Sequence, residues 1–168
     1  MDYFAHGAWS YLAFYKRKKV WWAVFFGVLP DTISWVPFFI YRLVTQSFGF
    51  SKPELVMVPD WVHLLYGFSH SIIICAAVFL IVYIVKGKIP YFMWSWPLLH
   101  ILIDVPTHTR EFLPTPFLWP ISEWRFPGIS WANPWFMALN YTLLISFFVY
   151  RIRQKRRLKT DKSPLQTD

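Results

Sequence analysis

The chain alternates between apolar runs and short basic or turn-rich breaks. Residues 1–15 are mostly apolar and stop at Lys16, Arg17, Lys18 and Lys19. Fifteen residues make roughly 22 Å of helix, short of a hydrocarbon core of about 30 Å. This run predicts a retained helix that spans a membrane poorly, or enters it and stops; with no positive stretch ahead of it, it does not look like a cleaved signal peptide. Residues 20–44 are long enough to span, but Leu29-Pro30-Asp31 interrupts them. An interior proline removes a backbone donor, which predicts a bend or break there. Residues 45–59 read as a loop, and residues 60–85 as one long helix. Lys86-Gly87-Lys88 makes a tight turn, and residues 89–109 form the next span. Residues 110–132 are a Pro- and Trp-rich loop whose aromatics suit the headgroup level. Residues 133–150 form a rather short last span. The expected fold is all-α, a small polytopic transmembrane bundle of about four spans plus a short N-terminal apolar helix. It forms one domain over residues 1–152, followed by a basic cytoplasmic tail at 153–168 that is disordered at its end.

Composition points the same way. Of the 168 residues, 56% are hydrophobic and 22% aromatic, more than a soluble domain of this size carries. A net charge of +8 raises the question of nucleic acid. The basic residues cluster instead at the ends of apolar runs: 16–19, Lys86 with Lys88, and 151–159. That is the pattern of cytoplasmic loops and not of a groove-reading face, which excludes a nucleic-acid partner. One topology places all three clusters in the cytoplasm. The single cysteine, Cys75, lies in an apolar run and reads as packing.

Within the apolar runs stand His6, Asp31, His70, His100, Asp104 and His108. Ionisable groups are costly in a membrane and usually face a bundle interior, a cavity or a metal. His100, Asp104 and His108 recur at every fourth residue, so they lie close to one helical face. A His and an Asp at that spacing are placed to grip one cation. Counted from the basic anchors, His6 lies roughly 15 Å above the cytoplasmic edge, Asp31 and His100 roughly 18 Å, and His70 and Asp104 roughly 24 Å. Five groups from four segments therefore share one layer, with His108 at its outer mouth. Asp31 has two readings that combine, a cap on a second half-helix and a carboxylate ligand on broken backbone. His63 reads as interfacial, and Ser69 as a packing residue. The competing reading of the layer is a polar network in which His100 and Asp104 tie the bundle together.

The order and spacing of His6, Leu29-Pro30-Asp31, Gly67-Phe68-Ser69-His70-Ser71, His100-Ile101-Leu102-Ile103-Asp104 and Phe117-Leu118-Trp119-Pro120-Ile121-Ser122 carry a resemblance. Over residues 6 to about 135 the chain resembles the membrane-bound metal-dependent hydrolase family, which includes LexA-regulated inner-membrane proteins. The resemblance implies a helical membrane bundle, a divalent metal and a hydrolase activity. Two positions depart from the pattern. The family often has a second acidic residue after Leu-Pro-Asp, where this chain has Ile33 and Ser34, and His-Arg where it has Leu65 and Tyr66. These changes remove a carboxylate that could serve a second metal and an Arg that could hold a phosphate.

Three imidazoles and two carboxylates suit Zn²⁺, with Mn²⁺ and Fe²⁺ as alternatives. The expected ligands are His6, His70, His100 and Asp31, with Asp104 a ligand or the base. Asp31 and Asp104 are the candidate catalytic carboxylates. The leading expectation is an integral-membrane metal-dependent hydrolase in the bacterial inner (plasma) membrane. It would act on a lipid-like ester or phosphoester through a metal-activated water. The alternative is a non-catalytic divalent-metal-binding or transport protein, and a third reading is a structural membrane protein with a buried polar cluster.

Overall fold

The structure is a computed structural model that describes residues 1–45 and 54–160. Six α-helices follow one another: α1 (Tyr3–Phe14), α2 (Val20–Val44), α3 (Asp60–Ser69), α4 (Ile72–Lys86), α5 (Leu102–Thr107) and α6 (Pro134–Thr160). Among the described residues there is no strand. Short turns of 3-10 helix occupy Leu55–Met57 and Tyr91–Trp94, and a π-helical turn occupies Pro97–Ile101. Residues 46–53 of the expected loop and 161–168 of the expected tail lie outside the described residues.

Two helices are long and apolar enough to cross a membrane, α2 and residues 134–157 of α6. The exterior suits that setting: Trp21, Ile84, Val85, Leu139 and Ile145 are all more than 60% exposed. The interior holds many polar side chains beside its apolar ones, including His6, Ser10, Ser34, Ser69, Ser71, His70, His100 and Asp104. Apolar groups outside and polar groups inside make sense where the solvent is lipid.

Local backbone departs from the sequence expectation in four places. The helix expected over residues 60–85 breaks into α3 and α4, bent by 55°. His70 ends α3, and Ser71 caps α4 by accepting from the N–H groups of Ile73 and Ile74. The break is held from outside the helix, because Ile72 N–H donates to Phe117 O at 2.9 Å and the Ser71 hydroxyl donates to Trp119 O. Of the bend or break expected at Pro30, the break does not occur, and α2 runs through Pro30 and Pro37. Hydroxyls bond back to the helix on either side of the site, Thr32 to Val28 O and Ser34 to Pro30 O. Asp31 therefore caps nothing. The span expected over 89–109 is a 3-10 turn, a π turn and the six-residue α5. Finally, α6 continues past Tyr150 to Thr160, so the expected tail boundary at residue 153 falls within a helix.

Packing centres on the π turn, which contacts α1, α2, α4 and the Tyr91–Trp94 turn. Beside it lies a core of Cys75, Phe79, Met93, Trp96 and Ile101, which confirms Cys75 as a packing residue. α1 sits between α2 and α6, with Ala5, Leu12 and Leu144 at its core. The first and last basic clusters converge at one end. Arg151 stacks over the Tyr15 ring at 3.9 Å, Arg17 lies over Tyr91 at 5.5 Å, and Lys19 N–H donates to the Tyr91 hydroxyl.

Gly27 sets the approach of α1 to α2. A Cβ there would lie 2.0 Å from Ser10 Oγ and 2.9 Å from Ser10 Cβ. Gly27→Ala should therefore destabilise the bundle by about 1–3 kcal/mol, the usual cost of overpacking. Combining it with Ser10→Gly should recover part of that loss. Thermal unfolding of the purified protein in detergent checks both; a Gly27→Ala protein as stable as wild type would refute this contact.

Candidate metal centre

Each site residue comes from a different backbone feature. Asp31 follows Pro30 inside α2, His70 ends α3 at the break, His100 lies in the π turn, and Asp104 opens α5. The π turn widens the helix by one residue where His100 sits, a common arrangement at functional sites. His100 and Asp104 keep their shared face, with Nε2 and Oδ2 3.4 Å apart.

The histidine tautomers follow from their backbone partners. His100 Nδ1 faces Gly27 O at 2.7 Å, and His70 Nδ1 faces Tyr66 O at 3.2 Å. Carbonyl oxygens only accept, so each Nδ1 carries the proton and donates. In a neutral imidazole, Nε2 is then a bare lone pair. The two Nε2 atoms face each other at 3.0 Å. Around them lie Asp31 Oδ1, 3.4 Å from His70 and 3.8 Å from His100, and Asp104 Oδ2, 3.7 Å from His70. Asp104 Oδ2 is buried and has no hydrogen-bond partner among the described residues. Four acceptors with no donor between them in a largely buried cluster suit a cation.

The spacing fits one. Four ligand atoms about 2.05 Å from a tetrahedral Zn²⁺ lie about 3.3 Å apart along each edge. The edges here run from 3.0 to 3.8 Å where His70 or His100 takes part, and the whole set falls within 4.8 Å. The Asp31, His70, His100 and Asp104 cluster could therefore hold a divalent metal ion.

His6, expected as a ligand, stands beside the four and not among them. Its ring stacks on His100 with centroids 3.9 Å apart. Its Nδ1 donates to Leu99 O at 2.9 Å, and its Nε2 lies 2.9 Å from Asp104 Oδ1. Asp104 thus presents one oxygen to the cluster and the other to His6. The Met1 amino group donates to the same Oδ1, and to Thr107 Oγ1 at 3.0 Å. His108 ends α5 at the edge of the site, with Nδ1 3.1 Å from Asp104 O. His63 is exposed and lines a separate surface groove with Asp60, Glu123 and Arg125. The Ser69 hydroxyl lies 2.9 Å from His70 Nδ1, where it helps fix the ring.

One contributor escaped the sequence reading. Tyr66 stacks on His70 at 3.8 Å, and its hydroxyl donates to Leu113 O. It stands four residues before His70, a helical spacing that could have flagged it. Trp119 covers the same turn, packed on Gly67. No family model, curated protein or solved structure matches the chain.

Protein purified without chelator should hold one divalent ion per chain. His70→Ala and His100→Ala should each abolish that occupancy, and His63→Ala should leave it intact. His6→Ala should weaken binding by about 10- to 100-fold, the usual loss when a group orienting a ligand is removed. Metal content by inductively coupled plasma mass spectrometry and a competing-chelator titration read these outcomes. Full occupancy in both the His70 and His100 variants would leave the cluster a purely structural polar network.

Proposed function

We propose that the chain is an integral-membrane metal-dependent hydrolase acting on a lipid-like ester or phosphoester. It spans the bacterial plasma (inner) membrane as a bundle of about four passes plus the short α1. The observation that carries this reading is the donor-free cluster of two imidazole nitrogens and two carboxylates inside a lipid-facing bundle. The resemblance in the order of these residues supports the same reaction class, and zinc fits the donor set and its spacing.

When bound, the metal would polarise an ester or phosphoryl oxygen and ease deprotonation of water. The division of labour follows from exposure. A catalytic zinc keeps three protein ligands and one open position, so four ligands are one too many. Asp104 is fully buried, and Asp31 keeps 10% of its side chain exposed. Substrate and water reach the cluster most directly at Asp31. His70, His100 and Asp104 would hold the metal, His6 would orient Asp104, and Asp31 would accept a proton from the attacking water. A second reading, non-catalytic metal binding, draws on the fact that all four groups can close a tetrahedron as in structural zinc sites.

Topology supplies one test. With cysteines introduced singly at Lys18, Lys88 and Lys155 in a Cys75→Ser background, all three should label from the cytoplasmic side. One at Glu123 should label from outside. Lys88 and Glu123 positions labelling from the same side would end the four-span arrangement.

Chemistry supplies another. Asp31→Asn should keep the metal and lower turnover at least about 100-fold, the usual share of a general base. Asp104→Asn should lose metal and turnover together. The assay presents phospholipids and isoprenoid phosphates in mixed micelles and reads products by mass spectrometry. Metal-loaded wild type that turns over no more substrate than Asp31→Asn would leave the binding-protein reading in place for those substrates.

A further inference from the structure

The outward stripe of α1 runs large, small, small, large: Phe4, Gly7, Ala8, Tyr11. The two small residues leave a trough on the lipid-facing surface. Its walls are Trp21, Val24 and Val28 of α2 and Phe148 of α6, around a cavity of about 490 Å³ without a charged side chain. At its lower end the rings of Tyr11 and Phe148 stack, with centroids 5.9 Å apart. These same two residues line a second cavity of about 520 Å³, whose other walls include Tyr15, Lys16, Arg151 and Lys155. An apolar trough and a basic pocket therefore share one wall.

We infer that this combined groove binds one anionic glycerophospholipid, with its phosphate among Lys16, Arg151 and Lys155 and an acyl chain along Tyr11, Ala8, Gly7 and Phe4. The length suits the occupant. From Tyr3 to Tyr15 α1 and its C-cap advance about 18 Å, a little more than half of a hydrocarbon core of about 30 Å. That is the depth of one leaflet, measured from the end where the first and last basic clusters converge. Charge suits it as well. Arg151 donates to the Tyr15 hydroxyl and to Gln154 Oε1, yet its Nε is buried and lacks a partner among the described residues. A phosphate oxygen would satisfy that donor with a charge-assisted hydrogen bond. Among the described residues no carboxylate pairs with Lys16, Arg151 or Lys155; every ion pair involves Asp31 or Asp104 with a histidine or the Met1 amino group. A soluble anion would use the pocket and leave the trough unexplained. The basic pocket lies at the other end of α1 from His6, the walls of the trough include none of the four cluster residues, and the inference does not rest on the proposed reaction.

Native mass spectrometry of the full-length protein tests the inference. Delipidated protein is offered equal amounts of phosphatidylglycerol and phosphatidylcholine with identical acyl chains. Wild type should retain one phosphatidylglycerol in preference. Lys16→Gln with Lys155→Gln should reduce that preference roughly fivefold for each charge removed. These side chains lie on the surface, so the pair leaves the Tyr15–Arg151 contact in place. Ala8→Phe fills the trough without changing charge and should reduce retention of both lipids. Lys86→Gln with Lys88→Gln removes the same charge outside the groove and should change nothing. Equal retention of the two lipids by wild type, or an equal loss in the Lys86/Lys88 variant, would overturn the site and leave only general attraction of basic ends to anionic lipid.

Discussion

Two carboxylates and two imidazole lone pairs share one largely buried space. In bulk water such a cluster would cost little. Inside a bundle each unsatisfied acceptor costs about 1–3 kcal/mol, and a buried carboxylate without a counter-charge costs more. The surrounding structure makes sense as an answer to that cost. His100 and His70 are held by backbone carbonyls so that their Nε2 atoms point inward. His6 and the Met1 amino group engage one oxygen of Asp104 and leave the other facing the cluster. A cation at the centre would complete the balance of charge and hydrogen bonding.

Placing these four groups required irregular backbone. The α3–α4 break and the π turn both leave main-chain groups that a regular helix would have paired. Such groups are tolerated at membrane depth only where protein satisfies them. The loop at residues 110–132 performs that role. It accepts from Ile72 N–H and from the hydroxyls of Ser71 and Tyr66, through the carbonyls of Phe117, Trp119 and Leu113. Trp96 donates its indole N–H to Ser69 O at the end of α3. Farther along, Ile129 and Trp131 donate to Pro106 O and Thr107 O, which fastens the loop to the end of α5. Gly128 allows this approach, because a Cβ there would lie 2.5 Å from the carbonyl oxygens of Pro106 and His108. The Pro- and Trp-rich loop is thus part of the site's support.

The positive ends and the polar centre divide the molecule by depth. Cation–aromatic contacts gather Arg17, Lys19 and Arg151 around Tyr15, Tyr91 and Phe92 at one end. The cluster lies toward the other end of α1, where His6 meets Asp104. Apolar side chains cover the outside between these levels. The lipid groove on α1 would connect the basic end to the interior depth without touching the metal cluster.

Much of this was legible along the chain. The apolar lengths give helices of membrane scale in α2 and α6, and the expense of ionisable groups in such runs singles out His6, Asp31, His70, His100 and Asp104, of which the last four form the cluster. Counting from basic anchors at a constant rise expects these residues in one layer, and the structure brings four of them together although they belong to different elements. Local sequence could not decide where helices break. Pro30 is tolerated within α2, where Thr32 and Ser34 return hydroxyls to the helix, and the α3–α4 break has no proline and depends on partners more than forty residues away. Nor could depth separate a ligand from its neighbour. His6 shares the layer, but rotation about α1 and the stacking of its ring on His100 turn its Nε2 toward Asp104 Oδ1 and away from the four-atom set. Composition and spacing determined which side chains are buried together at one level. Tertiary hydrogen bonds decided which atoms face one another, because the orientation of an imidazole is set by the carbonyl that holds its other nitrogen.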